Sequence, residues 1–203
     1  MTQETLERIT TMDTASVETQ IALHCAPMIM GLKTSNLLIV PESQTVCVQR
    51  LLWNTKMESF LLYTGKQRTA EKEMYKTVLL LYRISFLRNY LQDAQVVHLL
   101  RNAGYKDFSF EGLLHQFASR YRAYRNGTRD FPHEMGIFLG YPPADVQGFI
   151  QNNGKHFLYA GYWKVYENQA QKTKLFYYYD LAAELLIRLL SQGVRIKDVL
   201  VSA

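Results

Sequence analysis

The chain has 203 residues, of which 48% are hydrophobic, 20% charged and 13% aromatic, a composition that can bury a sizeable core and excludes a disordered polymer. A net charge of +5 without a dense block of Lys and Arg argues against a committed nucleic-acid binder. The two cysteines, Cys25 and Cys47, form no CxxC, which excludes a zinc finger or a thioredoxin-type pair and fits reduced thiols in the cytosol.

The opening MTQETLERIT is polar and carries two glutamates, unlike a secretory leader, and residues 1–15 read as a loosely ordered N-terminal segment. Val17, Ile21, Cys25, Met28 and Ile29 follow helical spacing from about Ser16 into HCAP, where Pro27 either stops the helix near Cys25 or starts a new turn. Asn36 to Val40 predicts a strand closed by Pro41, and residues 42–56 a helix with Val46, Val48, Leu51, Leu52 and Trp53 on a broad apolar face. Ser59 to Thr64 and Lys76 to Arg83 predict two strands joined by a charged, exposed loop. The second is apolar on both faces and suits the interior of a sheet.

Helices follow at about Gln92 to Asn102 and Phe110 to Arg125, the latter with Ser109 as N-cap. Gly136 to Tyr141 reads as strand-like. Pro142-Pro143 opens a short helix that Asn153-Gly154 closes, His156 to Tyr166 reads as a long strand, and Gln169 to Ser191 as a last long helix stopped by Gly193. No apolar run reaches the length of a membrane span, and no repeat or linker divides the chain. The expectation is one α+β domain over 1–203, with a mixed or antiparallel sheet of four to five strands packed against helices. The strands near 76–83 and 156–166 are placed in that one sheet.

Several residue groups could carry chemistry. Cys25 becomes a nucleophile or ligand if free N–H groups of a turn starting at Pro27 lower its pKa; otherwise it is a buried small hydrophobe. His133-Glu134 resembles half of HExxH, but Ile137 stands where the second His belongs. The pair can act as acid, base or metal ligand from a loop, or cap neighbouring backbone groups. Tyr162 and Trp163 beside Gly161 can line a pocket for a planar ligand, or pack as sheet core. His24, Lys33 and Arg83 are further ligand contacts. Arg120, Arg122, Arg125 and Arg129, interleaved with Tyr121 and Tyr124, read as a solvated helix face rather than a nucleic-acid stripe. No GxGxxG, Walker A, GxSxG or EF-hand pattern occurs.

HCAPMIMGLKTSNLL, VLLLYR, FPHEMGIFLGYPPADVQGFI and NGKHFLYAGYWKVY resemble segments of an uncharacterised bacterial family of the DUF 3793 type, over about Leu23 to Leu200. The family's segments look like HCAPTLAGIK, FPHEIGLFLGYP and GYWKVY, and the chain keeps Cys25, Pro27, Gly31, Lys33, His133, Glu134, Gly136, Gly140, Tyr141, Pro142, Asp145, Gly148, Gly161, Tyr162 and Trp163. The chain departs at Met28 and Met30, where the family more often has Thr and a small residue. The resemblance implies no activity. Two readings follow. One is a cytosolic protein that binds a small molecule, cofactor or metal at a cleft lined by Cys25, His133 and Glu134, with thiol-dependent chemistry an option. The other is a non-enzymatic interaction module whose motifs lock the fold. Shared access of Cys25 and His133 to one cleft separates them.

Overall fold

The computed structural model describes residues 2–68 and 73–202. In chain order its elements are α1 (Gln3–Thr11), α2 (Val17–Ile29), β1 (Ser35–Pro41), a 3-10 turn (Glu42–Gln44), α3 (Thr45–Leu52), β2 (Met57–Arg68) and β3 (Glu73–Arg83). Then come α4 (Ile84–Leu91), α5 (Ala94–Asn102), α6 (Phe110–Arg125), α7 (Met135–Phe138), α8 (Pro143–Gln151), β4 (Tyr159–Ala160), β5 (Lys164–Val165), α9 (Gln169–Ser191) and α10 (Ile196–Ser202). The fold is α+β and its strand pairings are antiparallel. The chain gathers into two compact units, residues 1–84 with 179–203, and residues 85–178.

The first unit is built on a sheet of order β1-β3-β2. β3 is central because its run from Thr77 to Tyr82 is buried on both faces, which only an interior strand allows. Pro41, which has no N–H to give, ends the edge strand β1 opposite Lys76. β2 and β3 pair from Met57–Arg83 out to Arg68–Glu73, with a register shift between Leu61 and Tyr63. Much of the charged stretch that reads as a loop therefore continues the hairpin, and 69–72 lie outside the described residues. Ile21, Cys25, Met28 and Ile29 of α2 join Leu38, Val40, Leu79 and Leu81 of the sheet in one core, with Leu52, Leu186 and Leu200. Each large apolar side chain there contributes about 1.5–3 kcal/mol by leaving water. The stretch read as loosely ordered forms α1, capped by the Thr2 side chain on Thr5 N–H at 3.3 Å.

Helix α2 runs through Pro27, contrary to both sequence alternatives. Pro27 sits within three residues of the helix end, so one lost bond to the Leu23 carbonyl is its main cost. The end is a Schellman motif: Leu32 N–H bonds the Pro27 carbonyl at 2.8 Å and Gly31 N–H bonds Met28 at 3.1 Å, with Gly31 at φ 74.

The second unit packs α4–α8 and the start of α9 with the small β4–β5 hairpin. Its centre is Phe117, stacked on Phe138 at 4.2 Å with Tyr105 beside it at 5.8 Å from Phe138. Two strand readings are corrected here. Gly136 to Tyr141 is the turn of helix α7 and its cap, because Pro132 and Gly140 bracket a segment too short for a strand that finds a partner. His156 to Tyr166 is a hairpin of two-residue strands, not one long strand. Asn153, His156 and Asn168 all take positive φ around it, and such left-handed residues turn a chain rather than extend it. The strands near 76–83 and 156–166 consequently belong to different sheets.

Candidate functional site

In the first unit, Cys25 is 0% exposed in the core. Because α2 continues past it, no free helix N-terminus faces the thiol, and burial pushes it up to about 12 against a weaker opposing pull from Lys33. Lys33 is itself buried, and desolvation brings its ammonium down to about 8. Arg83 is not solvated at the sheet end as lone cations usually are; it is buried and its Nη1 donates to the Ile29 carbonyl at 2.9 Å. His24 lies on the exposed side of α2, where partial burial lowers its pKa, and its carbonyl accepts from Asn36 Nδ2 at 2.6 Å. Cys47 is exposed: α3 buries Val48, Leu51 and Leu52, which leaves Val46 and Cys47 on the outer face.

In the second unit the His133-Glu134 pair splits. Glu134 turns inward. Its Oε1 accepts from Arg120 Nη1 at 3.0 Å and from the Tyr105 hydroxyl at 3.3 Å, with the Glu134 and Arg120 side chains only 10% and 13% exposed. Burial, and then the Glu134 carboxylate, push the Tyr105 hydroxyl well above its ordinary range. The Arg120 guanidinium also lies over the Tyr105 ring, 4.3 Å from its centre. Arg122, Arg125 and Arg129 are exposed, as the solvated-face reading has it. His133 turns outward between two rings, Phe131 at 5.7 Å and Phe149 at 5.4 Å.

That placement puts His133 on the wall of a cavity of about 330 Å³, which the FPHE loop, α7, α8 and the hairpin enclose. Its lining is overwhelmingly apolar: Phe131, Leu139, Val146 and Phe149 on one part, Tyr141, Tyr162 and Trp163 on another. Trp163 stacks on Tyr141 at 4.8 Å and meets Phe176 edge-on at 4.5 Å, so its indole is fixed. Trp163 is 8% exposed yet lines the cavity, while Tyr162 is exposed at its edge.

Asp145, in the first turn of α8, is among the residues shared with the family but outside the groups weighed for chemistry. It is 2% exposed and carries three bonds: Trp163 Nε1 donates to Oδ2 at 2.8 Å, and the N–H groups of Tyr166 and Glu167 donate to Oδ1 at 2.8 and 3.2 Å. One carboxylate thus ties the hairpin and the indole to α8. The signal available was an acid at the third position of a Pro-opened helix, which ordinarily reads as a dipole partner. Lys164, also lining the cavity, donates from Nζ to the Gly154 carbonyl at 2.7 Å and lies 5.0 Å from the Phe157 ring. Gly136 permits the closeness of α7 and α8, since a Cβ there would meet Val146 Cγ2 at 2.8 Å.

A second cavity of about 470 Å³ shares Phe131 and His133 with the first and has a mixed lining, with Leu99, Ala103, Pro132 and Ile150 beside Arg120, Arg129, Asp130, Glu134, Gln147 and Gln151. Among the described residues no group of three or more His, Cys, Asp or Glu is placed to hold a metal ion, and no helix is long and apolar enough to cross a membrane.

No curated protein and no solved structure matches this chain. The conserved family model described as "Protein of unknown function (DUF3793)" does match, across residues 21–200, and the chain belongs to that family.

Proposed function

We propose that the protein binds a small planar, largely apolar molecule in the aromatic cavity of its second unit, in a cytosolic setting that suits two free cysteines. The observation that carries this reading is the cavity itself. It has the size and lining of a small-molecule site, and its indole wall is held by a buried carboxylate rather than left to repack. Asp145 spends its acceptor capacity on Trp163 and two backbone amides, an arrangement that fixes an aromatic surface in place before any ligand arrives. A ring inserted there meets aromatic faces and edges on several sides. His133 and Lys164 are the polar groups that could orient it. A metal is a poorer fit, since the cavity presents His133 without further free ligands. Thiol chemistry is a poorer fit too, with Cys25 buried and its thiol held protonated. The alternative of purely structural motifs is favoured for Cys25, Lys33, Arg83 and Glu134, each of which is buried.

The test uses N-phenyl-1-naphthylamine, a neutral dye that fluoresces in apolar sites. The parent protein should enhance it, Tyr162→Ala should weaken its Kd by about tenfold, the upper range for one aromatic contact, and Trp53→Ala should leave it unchanged. No enhancement with the parent, or an equal loss in both variants, overturns the reading.

A further inference from the structure

The chain's positive charge is concentrated in the unit that carries the cavity. Residues 85–178 hold 11 Lys and Arg against 7 Asp and Glu, which is +4 of the overall +5. Two of those arginines, Arg120 and Arg129, line the second cavity, which shares Phe131 and His133 with the aromatic one. Glu134 accepts one N–H of Arg120 at 3.0 Å, and a guanidinium carries about five. The Arg129 guanidinium and the side-chain amides of Gln147 and Gln151 add further donors. Two carboxylates oppose them. Glu134 is committed to Arg120 and Tyr105, while Asp130 is solvent-exposed. Donors of that kind suit a planar oxyanion, which a guanidinium engages through paired N–H groups.

Resting on the aromatic-cavity reading above, we infer that the ligand is an aryl acid: its ring fills the aromatic cavity, and its carboxylate reaches past His133 to the arginine-bearing part of the second cavity, where it meets Arg129 and Arg120. The apolar lining selects the ring. A nucleobase carries several donors and acceptors along its edge, which Leu139, Val146 and Phe149 would leave unpaired, whereas an aryl ring has none to satisfy. Phe131 and His133, common to both cavities, are then the residues past which the acid arm runs.

The experiment compares 2-naphthylacetate with its neutral amide, 2-naphthylacetamide, by titration calorimetry on the full chain. The acid should bind at least about tenfold more tightly than the amide, the scale of one charge-assisted hydrogen bond. Arg129→Ala, at an exposed side chain, should bring that preference close to unity while leaving the amide's Kd unchanged. Arg125→Ala, an exposed arginine at the end of α6 that lines neither cavity, should preserve the preference. Equal affinities for acid and amide in the parent overturn the inference and leave the aromatic-cavity reading standing. A preference abolished by Lys164→Met but retained in Arg129→Ala also overturns it, by placing the carboxylate inside the aromatic cavity. Binding of neither compound overturns both readings.

Discussion

His133 and Glu134 are adjacent in sequence and opposite in fate, and the difference can be measured. Glu134→Ala strands the Arg120 guanidinium in a mostly buried site, and loss of one partner from such a pair costs about 3–5 kcal/mol. His133→Gln changes an exposed ring and should stay within about 0.5 kcal/mol of the parent in urea denaturation, while altering ligand binding. Equal destabilisation by both would show that the pair acts as one structural unit. The two cysteines separate in the same way. Cys47 is exposed and Cys25 is buried, so a thiol reagent such as Ellman's should label Cys47 rapidly in the native protein and Cys25 only on unfolding. Rapid labelling of both would place Cys25 in an accessible cleft and restore thiol chemistry as an option. The sequence supports either outcome for Cys25, because its helical spacing is common to a core residue and to a nucleophile at a broken helix. The continuation of α2 through Pro27 decides between them.

At the level of elements, α8 and the β4–β5 hairpin are held together by a single side chain. Asp145→Ala would leave Trp163 Nε1 and the Tyr166 and Glu167 amides without their acceptor, a loss of roughly 3 kcal/mol. It would also free the indole from its fixed pose. Asp145→Asn keeps an acceptor and should cost less. The expected readout for the Ala variant is a lowered urea midpoint together with reduced near-ultraviolet ellipticity from Trp163; an unchanged midpoint would mean that water replaces the carboxylate. The helices were readable from their ends. Ser109 caps α6 as its position suggests, Ser16 caps α2, and Gly104, Gly154 and Gly193 mark stops. The segment 156–166 reads as one strand because aromatic density mimics strand propensity, while the left-handed residues that bound it, Asn153, His156 and Asn168, are types the sequence does not force into that region.

Across the whole molecule, the alkaline stability curve follows from the first unit's core. Lys33 falls from an ordinary 10.5 to about 8, so between those values the unfolded chain holds a proton that the folded chain has released, and stability rises with pH. Cys25 climbs from 9.0 to about 12, so above 9 the unfolded chain loses a proton that the folded chain keeps, and stability falls. The two offset one another from 9 to 10.5. What remains is a rise of up to about 1.4 kcal/mol from pH 8 to 9, and a fall above 10.5 to which the half-buried Tyr90 and the buried Tyr105 of the second unit add. Denaturant titrations should show the rise absent in Lys33→Met and the fall reduced in Cys25→Ala; a Lys33→Met curve that keeps the rise would assign it to another group.

By itself the sequence determined what depends on neighbours a few residues away. Helical spacing located α2, α6 and α9; the run from Thr77 to Tyr82, apolar on both faces, required a central strand; and the missing second His excluded a zincin. The FPHE segment and Tyr162-Trp163 stood out because turn-forming and aromatic residues cluster there; Phe131, His133, Tyr162 and Trp163 line one cavity, whereas Glu134 faces Arg120 instead. Only the tertiary structure decided which way each polar side chain turns. Whether Glu134 faces Arg120 or the cavity, whether Asp145 meets water or an indole, and whether Lys33 and Arg83 are solvated or buried all depend on residues distant in the chain. Burial and pairing set the cost of a charge, and no local pattern encodes them.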